Sequence, residues 1–480
     1  MPHYVLKTLG CKANLYDSQH IEEQLQQRGW SPHENREGEV QLCIVNSCTV
    51  TDEADRQTRK IAAKLSRENP QATVIVTGCA AEVDPEGLIR ASGIHYVVGN
   101  QNKNEIVDLV LKKFEGTGSS SISADILNPE TKILGTVKTY GEVVSRHPHD
   151  REWPAATDSF FTPPTQLKGY AAKTRSFLKI QEGCNSFCTY CIIPYGRGPS
   201  RSLQPIEVIQ QVHELVAQGI REVIITGTNI GDYGTDLGSG PILDELLEKI
   251  LAETQLERLR VSSLDPTEIT PRMMALMKAN PRFCPHFHVS LQSPHSRILR
   301  LMKRKYSFDE VKSTLEAIAE IPSALGGPFV GMDIITGFPG ETDEEFEWGL
   351  NALADLPWTR LHVFPYSERE GTPATRLPNS VPQAVRMARA KKLNQLSMQR
   401  LTQHYKNVLL KSTEEKIRLE SVLVEQRGKS QWVSGYTPNY LRVLIPKDMD
   451  IARNDLITVE PSEMMIDSQA YDVGLVSKVV

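Results

Sequence analysis

Eight cysteines are spread along this 480-residue chain, and seven of them fall into two groups: Cys11, Cys43, Cys48 and Cys79, then Cys184, Cys188 and Cys191, with Cys284 alone. The run Cys184-Asn185-Ser186-Phe187-Cys188-Thr189-Tyr190-Cys191 puts three thiols in one short loop, with three and then two residues between them. A loop of that length can wrap a single metal cluster. Three thiolates on a four-iron cubane leave one iron open to chelate a small ligand, whereas structural metal sites are closed by four protein ligands. The other reading is a zinc knuckle, which would need a fourth ligand from elsewhere in the chain.

Cys11, Cys48 and Cys79 each follow an apolar run with strand character, at Tyr4–Leu9, Val40–Asn46 and Thr73–Thr77. In an open parallel sheet, ligands gather beyond the carboxyl ends of the strands. Three thiols that are far apart in sequence can therefore meet in space, although three unrelated core cysteines would read the same way. Cys43 lies inside a strand and reads as a small buried apolar side chain. The opening segment lacks a basic region followed by an apolar stretch, and no apolar run approaches the ~18 residues of a spanning helix. We therefore expect no membrane partner and a cytoplasmic protein, in which clustered cysteines are metal ligands or catalytic groups rather than disulfides.

These residues need elements to position them. At about 150 residues per domain the length suggests roughly three domains. Strands alternate with helices at about Ser18–Arg28 and Glu53–Glu68, the second capped at Thr51-Asp52, which is the pattern of a parallel α/β sheet domain over 1–115. A Gly-, Ser- and Pro-rich linker covers 116–172. Six strands follow in series, at Phe177–Gln181, Glu222–Thr226, Arg258–Ser262, His286–Leu291, Val330–Thr336 and Arg360–Phe364, separated by helical stretches. Six βα units close only part of a barrel, since a full one uses about eight, so a partial (β/α)6 barrel is expected over 173–410. Its last helix, from Gln383, carries seven Lys or Arg and no Asp or Glu as far as Lys411. Short strands at Ser421–Glu425, Tyr440–Ile445 and Leu456–Glu460 predict a small five-stranded, OB-like β-barrel over 411–480.

The triple-cysteine loop and the following Ile192-Ile193-Pro194-Tyr195-Gly196-Arg197-Gly198 resemble the signature of radical S-adenosylmethionine enzymes. With Gly10-Cys11-Lys12-Ala13-Asn14, Asn46-Ser47-Cys48-Thr49-Val50 and Gly78-Cys79-Ala80-Ala81-Glu82, nearly the whole chain resembles the methylthiotransferase family of that superfamily. The resemblance implies two 4Fe-4S clusters and S-adenosylmethionine as cofactors. Cys184, Cys188 and Cys191 would hold the catalytic cluster, whose open iron binds S-adenosylmethionine; reductive cleavage then gives a 5′-deoxyadenosyl radical. Cys11, Cys48 and Cys79 would hold an auxiliary cluster that delivers sulfur. Gly227, Thr228, Ser262, Gln292 and Asp333 fall in segments that resemble the family's cofactor-binding strand ends, although Gly227 and Gln292 read equally as turn or core positions. Pro294 departs from the glycine usual after Gln-Ser.

A net charge of -5 excludes a generally basic coat, so any nucleic-acid contact must be regional. The basic helix offers Arg386, Lys391, Lys392 and Arg400. In the tail Trp432, Tyr436 and Tyr440 alternate with Lys429 and Arg442, an arrangement suited to stacking bases and neutralising phosphates. The tail also resembles the RNA-binding TRAM barrel of this family. The implied activity is methylthiolation of N6-threonylcarbamoyladenosine next to the anticodon of tRNA. The partners would be the tRNA anticodon stem-loop, a flavodoxin- or ferredoxin-like electron donor and a sulfur donor. The alternatives are isopentenyladenosine in tRNA, a ribosomal-protein aspartate, or a non-catalytic iron-sulfur RNA-binding protein.

Overall fold

The computed structural model describes the chain except residues 34–38, 116–132, 135–173, 239–241, 324, 428–430 and 468–470. The linker expected over 116–172 lies outside the described residues apart from one two-residue strand, and so does Lys429. The chain divides into two compact units. One comprises Met1–Lys168, Gln181–Leu203 and Ser367–Thr375, the other Gly169–Ile180, Gln204–Tyr366 and Arg376–Val480.

The first unit is built on a six-stranded parallel sheet: β1 (His3–Thr8), β2 (Ser31–Pro32), β3 (Val40–Ser47), β4 (Thr73–Gly78), β5 (Tyr96–Val98) and β6 (Ile133–Leu134), in the order β2-β1-β3-β4-β5-β6. β3 and β4 are buried almost throughout, which is why they read as continuous apolar runs. Helices α1 (Lys12–Gln27), α2 (Asp52–Glu68), α3 (Cys79–Val83), α4 (Pro85–Ile89) and α5 (Ile106–Glu115) connect the strands. α2 is capped as its sequence predicts, with the Thr51 side chain accepting from the Ala54 amide. α1 begins six residues before the expected start, with Cys11 as its N-cap; its first turn is too polar for the apolar period to show. The same unit holds the end of β7 (Arg175–Glu182), the short helix α6 (Ile193–Arg197) and β8 (Arg201–Ser202).

In the second unit the expected partial barrel is present, and its strands run in parallel in the order β7, β9 (Glu222–Gly227), β10 (Arg258–Val261) continued by β11 (Ser263–Leu264), β12 (His286–Gln292), β13 (Phe329–Thr336) and β14 (Arg360–Pro365). Six strand positions are filled, with a break at Ser262. Helices α7 (Pro205–Ala217), α8 (Leu243–Glu253), α9 (Pro271–Ala279), α10 (Ser296–Leu301), α11 (Phe308–Ala319), α12 (Asp343–Ala354) and the 33-residue α13 (Gln383–Glu415) complete it. The tail closes as a five-stranded barrel: β15 (Leu419–Arg427), β16 (Trp432–Tyr436), β17 (Arg442–Pro446), β18 (Leu456–Asp467) and β19 (Asp472–Val479), in the order β15-β16-β17-β19-β18. Its core packs Val422, Val433, Val443 and Leu475 against Leu401, Tyr405 and Val408 of α13 and Phe329 of β13.

The small barrel forms a floor beneath the amino ends of the larger one. Glu222, fully buried at the start of β9, lies 2.9 Å from Arg258 and is gripped through both oxygens by Arg260 at 3.1 Å. Other guanidinium N–H groups donate to carbonyls of the small barrel: Arg258 to Ser421, Tyr436 and Thr437, Arg260 to Pro438. The three arginines Arg258, Arg260 and Arg175 hold the Glu222 carboxyl down at about 2 against the opposing effect of burial. A carboxyl depressed from 4.5 stabilises the fold above the unfolded value, and that stabilisation is lost as pH falls through the window from about 4.5 to 2. Glu222→Gln leaves buried guanidinium groups without their counter-charge and is expected to cost about 3–5 kcal/mol. Urea unfolding at pH 7 measures the loss, and the variant should show a flatter stability profile below pH 4.5 than the parent.

Candidate metal centre

The N-terminal thiols sit where three parallel strands of the first unit end. Cys11 caps α1 and is exposed, Cys48 follows β3 at 6% exposure, and Cys79 opens α3 at 2%. Two glycines let these loops approach one another. A Cβ at Gly10 (φ +92°) would stand 2.7 Å from both Cβ and Sγ of Cys48, and one at Gly78 (φ +96°) would stand 2.4 Å from the Ser47 carbonyl oxygen. Asn14 fastens two of the loops by donating to the carbonyls of Leu9 at 2.7 Å and Ser47 at 2.8 Å. The third is tied in by Ser47 Oγ, which donates to Thr77 O and accepts from the Ala80 amide. Burial first, and then the charge of Cys79, pushes the Cys48 thiol up to about 12. Cys43 lies in the core among Val45, Ala62 and Val74, and burial raises it to about 11.

Cys184, Cys188 and Cys191 belong to the same unit, on the loop leaving β7. Cys188 is buried and the other two are half-buried. Gly183 (φ +78°) starts the loop where any Cβ would collide with the Pro199 carbonyl, and Phe187 takes a left-handed conformation between the first two cysteines. The loop is pinned by the Cys184 amide donating to Gly198 O, the Cys191 amide to Cys188 O, and the Ala374 amide to Thr189 O. The donor sets are all sulfur. Among the described residues no three His, Cys, Asp or Glu side chains close round a single metal ion, whereas a cubane spreads its thiolates over a wider frame and takes sulfur ligands. The residues therefore fit iron-sulfur clusters.

Sequence reading missed Arg197. Its motif was visible, but its partners lie up to 183 residues away: Nη2 donates to Asn14 and Nη1 to Glu182, and Asp17 lies at 3.4 Å. α6, which carries it, packs on α3, with Gly196 against the Cys79 side chain.

In the second unit Gly227 ends β9, Thr228 follows it, Ser262 occupies the break between β10 and β11, and Gln292 (φ +64°) ends β12 beside a register shift. Asp333 lies within β13 rather than at its end, with Oδ1 2.8 Å from His288 Nε2 but off the line of a good hydrogen bond. The His288 ring stacks on His362 of β14 at 5.0 Å and 6°, and Ser263 and Ser290 bond at 2.8 Å. Sequence reading singled out neither histidine. Pro294 is buried, and its ring fills the space that a Cβ on Gly349 of α12 would take.

The expected RNA-facing residues divide. Lys391 and Lys392 are exposed on α13, Lys392 paired with Glu347 at 2.6 Å, and Trp432 is half-buried on β16. Arg386 corrects the reading: it is buried and donates to the carbonyls of Val381 and Tyr366. Arg400 donates to Leu353 O with its guanidinium 4.4 Å from the Trp358 ring, and burial lowers its pKa. Tyr436 and Tyr440 are a second correction, because they stack on each other at 4.8 Å beneath Arg175, with Tyr440 also against Arg260 and His286. Alternating aromatic and basic residues suit a nucleobase and a buried guanidinium equally well. Tyr440→Ala should therefore cost about 3 kcal/mol of stability, read as a lower midpoint of urea unfolding, where a surface stacking residue would leave stability unchanged.

Residues 178–351 match the Radical SAM superfamily, and residues 3–99 match a group described as Uncharacterized protein family UPF0004. A Bacillus subtilis (strain 168) protein named threonylcarbamoyladenosine tRNA methylthiotransferase MtaB is 32% identical over 92% of this chain and 90% of its own length. A Dictyoglomus thermophilum tRNA-2-methylthio-N(6)-dimethylallyladenosine synthase is 30% identical over 94% of each. Among solved structures, the radical S-adenosylmethionine methyltransferase TsrM of Kitasatospora setae shares the fold at a TM-score of 0.51 and 18% identity, covering 78% of this chain and 75% of that one.

Proposed function

We propose that this chain, which belongs to the radical S-adenosylmethionine methylthiotransferase family, installs a methylthio group on N6-threonylcarbamoyladenosine beside the anticodon of tRNA. The observation carrying the substrate is the likeness, over nine-tenths of both chains, to the Bacillus subtilis protein named for it. The Dictyoglomus relative supports a second reading, dimethylallyladenosine, at nearly the same identity.

Members of the family work with S-adenosylmethionine and 4Fe-4S clusters. Cys184, Cys188 and Cys191 would hold one cluster with an iron left open, and Cys11, Cys48 and Cys79 the other. When bound, these groups supply one-electron cleavage of S-adenosylmethionine and the sulfur for carbon 2 of the adenine. Gly227, Thr228, Ser262 and Gln292 bind and orient S-adenosylmethionine, Gln292 through an amide that both donates and accepts. Asp333, with Oδ1 2.8 Å from His288 Nε2, completes this cofactor-binding set. Lys391 and Lys392 neutralise tRNA phosphates, and Trp432 stacks on a base. The electron comes from a flavodoxin- or ferredoxin-like protein, and a separate donor renews the sulfur. A tRNA substrate sets the work in the cytoplasm.

Mass spectrometry of tRNA nucleosides from a deletion strain tests the substrate. The 2-methylthio derivative of N6-threonylcarbamoyladenosine should vanish while its unthiolated parent accumulates. Loss of the dimethylallyl derivative instead would move the assignment to the second reading.

A further inference from the structure

Two guanidinium groups of the described residues reach the N-terminal thiol loops: Arg369 donates to Thr49 beside Cys48 and is paired with Asp55, whereas Arg197 joins the loops of both cysteine sets, and the machinery above gives it no role. Its side chain is 2% exposed. Glu182, at the mouth of the triple-cysteine loop, takes Nη1; Asn14, which binds the carbonyls preceding Cys11 and Cys48, takes Nη2. Asp17, the second carboxylate, is shared with Lys103 at 2.6 Å. Asp17 and Glu182 thus each have a cationic partner, and of the two cations it is Arg197 that also reaches Asn14 between the Cys11 and Cys48 loops. On the far side of α6, Asn100 donates to Gly196 O at 2.5 Å and reaches Cys79 Sγ at 3.8 Å. One residue therefore fastens the segment leaving one cysteine set to the loops that carry the other.

We propose that Arg197 is a positioning residue that locks the two cysteine sets together and places a fixed, buried positive charge beside the N-terminal thiols, making the iron-sulfur group they hold easier to reduce. The inference rests on the reading that Cys11, Cys48 and Cys79 hold a cluster. A reduced cluster carries one more negative charge than an oxidised one, and cluster potentials follow local charge and hydrogen bonding. In a buried site that charge is screened several-fold less than in water.

Removing Arg197 alone would strand two buried carboxylates, so two variants are needed. Arg197→Lys keeps the charge and loses the fork; Arg197→Met with Glu182→Gln removes the pair. Both are made in the full chain with Cys184, Cys188 and Cys191 changed to Ala, so that only the N-terminal site loads iron. Iron content is measured first, then the midpoint potential by dithionite titration followed by electron paramagnetic resonance. The Met/Gln variant keeps the net charge and loses only the cation held on the Asn14 side of the pair, so at the potential where the parent is half reduced it should be less reduced, by up to about tenfold, a midpoint up to ~59 mV more negative. The Lys variant should stay near the parent. An unmoved midpoint in the Met/Gln variant, or a Lys variant that shifts as far, overturns the role of Arg197. A background protein that binds no iron overturns instead the assignment of Cys11, Cys48 and Cys79.

Discussion

The protein reconstituted without oxygen is expected to hold about eight iron atoms, and changing Cys184, Cys188 and Cys191 together to Ala should halve that and abolish cleavage of S-adenosylmethionine. The three thiols share one loop, pinned by the Gly198 and Ala374 contacts, so no other cysteine can replace them. Cys284 is buried in the second unit with its amide bonded to Leu259 O, and Cys43 is in the core of the first. The loss of cleavage should therefore be complete rather than partial. Chromatography for 5′-deoxyadenosine measures it; any turnover above a no-enzyme control would remove the loop from its assigned role.

Changing Cys11, Cys48 and Cys79 to Ala should have the converse effect. Cleavage of S-adenosylmethionine continues, because the triple-cysteine loop is held by its own backbone bonds, while transfer of sulfur to tRNA falls to background. Cys43→Ala is the control. Its thiol packs in the apolar core, so the substitution should cost about 1 kcal/mol and leave the iron content unchanged. If Cys43→Ala loses four irons, the wrong thiol of the four has been chosen.

The strands that carry these groups were legible because a strand buried on both faces is a continuous apolar run, as in β3, β4 and β9. The thiol trio was legible for the same reason: each cysteine stands at the end of such a run. β16 and β19 escaped notice, since Ser434 and Gly435 interrupt one and Gly474 and Lys478 the other. The roles of Arg386, Tyr436 and Tyr440 were misread because the identity of a charged or aromatic residue does not say which way it faces. Arg197 was seen but not understood, since its meaning lies in Asn14, on a helix whose first turn has no apolar period.

The floor of the partial barrel has a consequence for how the protein is made. Thr174 and Arg175, at the start of the first barrel strand, have partners in Val424 and Glu425, 250 residues further along the chain. A ribosome adding ~5–20 residues per second needs on the order of 10–50 s to make that stretch. Throughout that interval the nascent half-barrel has no base. An apolar base left open for so long would invite association between unfinished chains. Arg175, Arg258 and Arg260 around Glu222 are instead well hydrated while they wait, and lose that water only when the small barrel, from Leu419 onward, arrives to cover them.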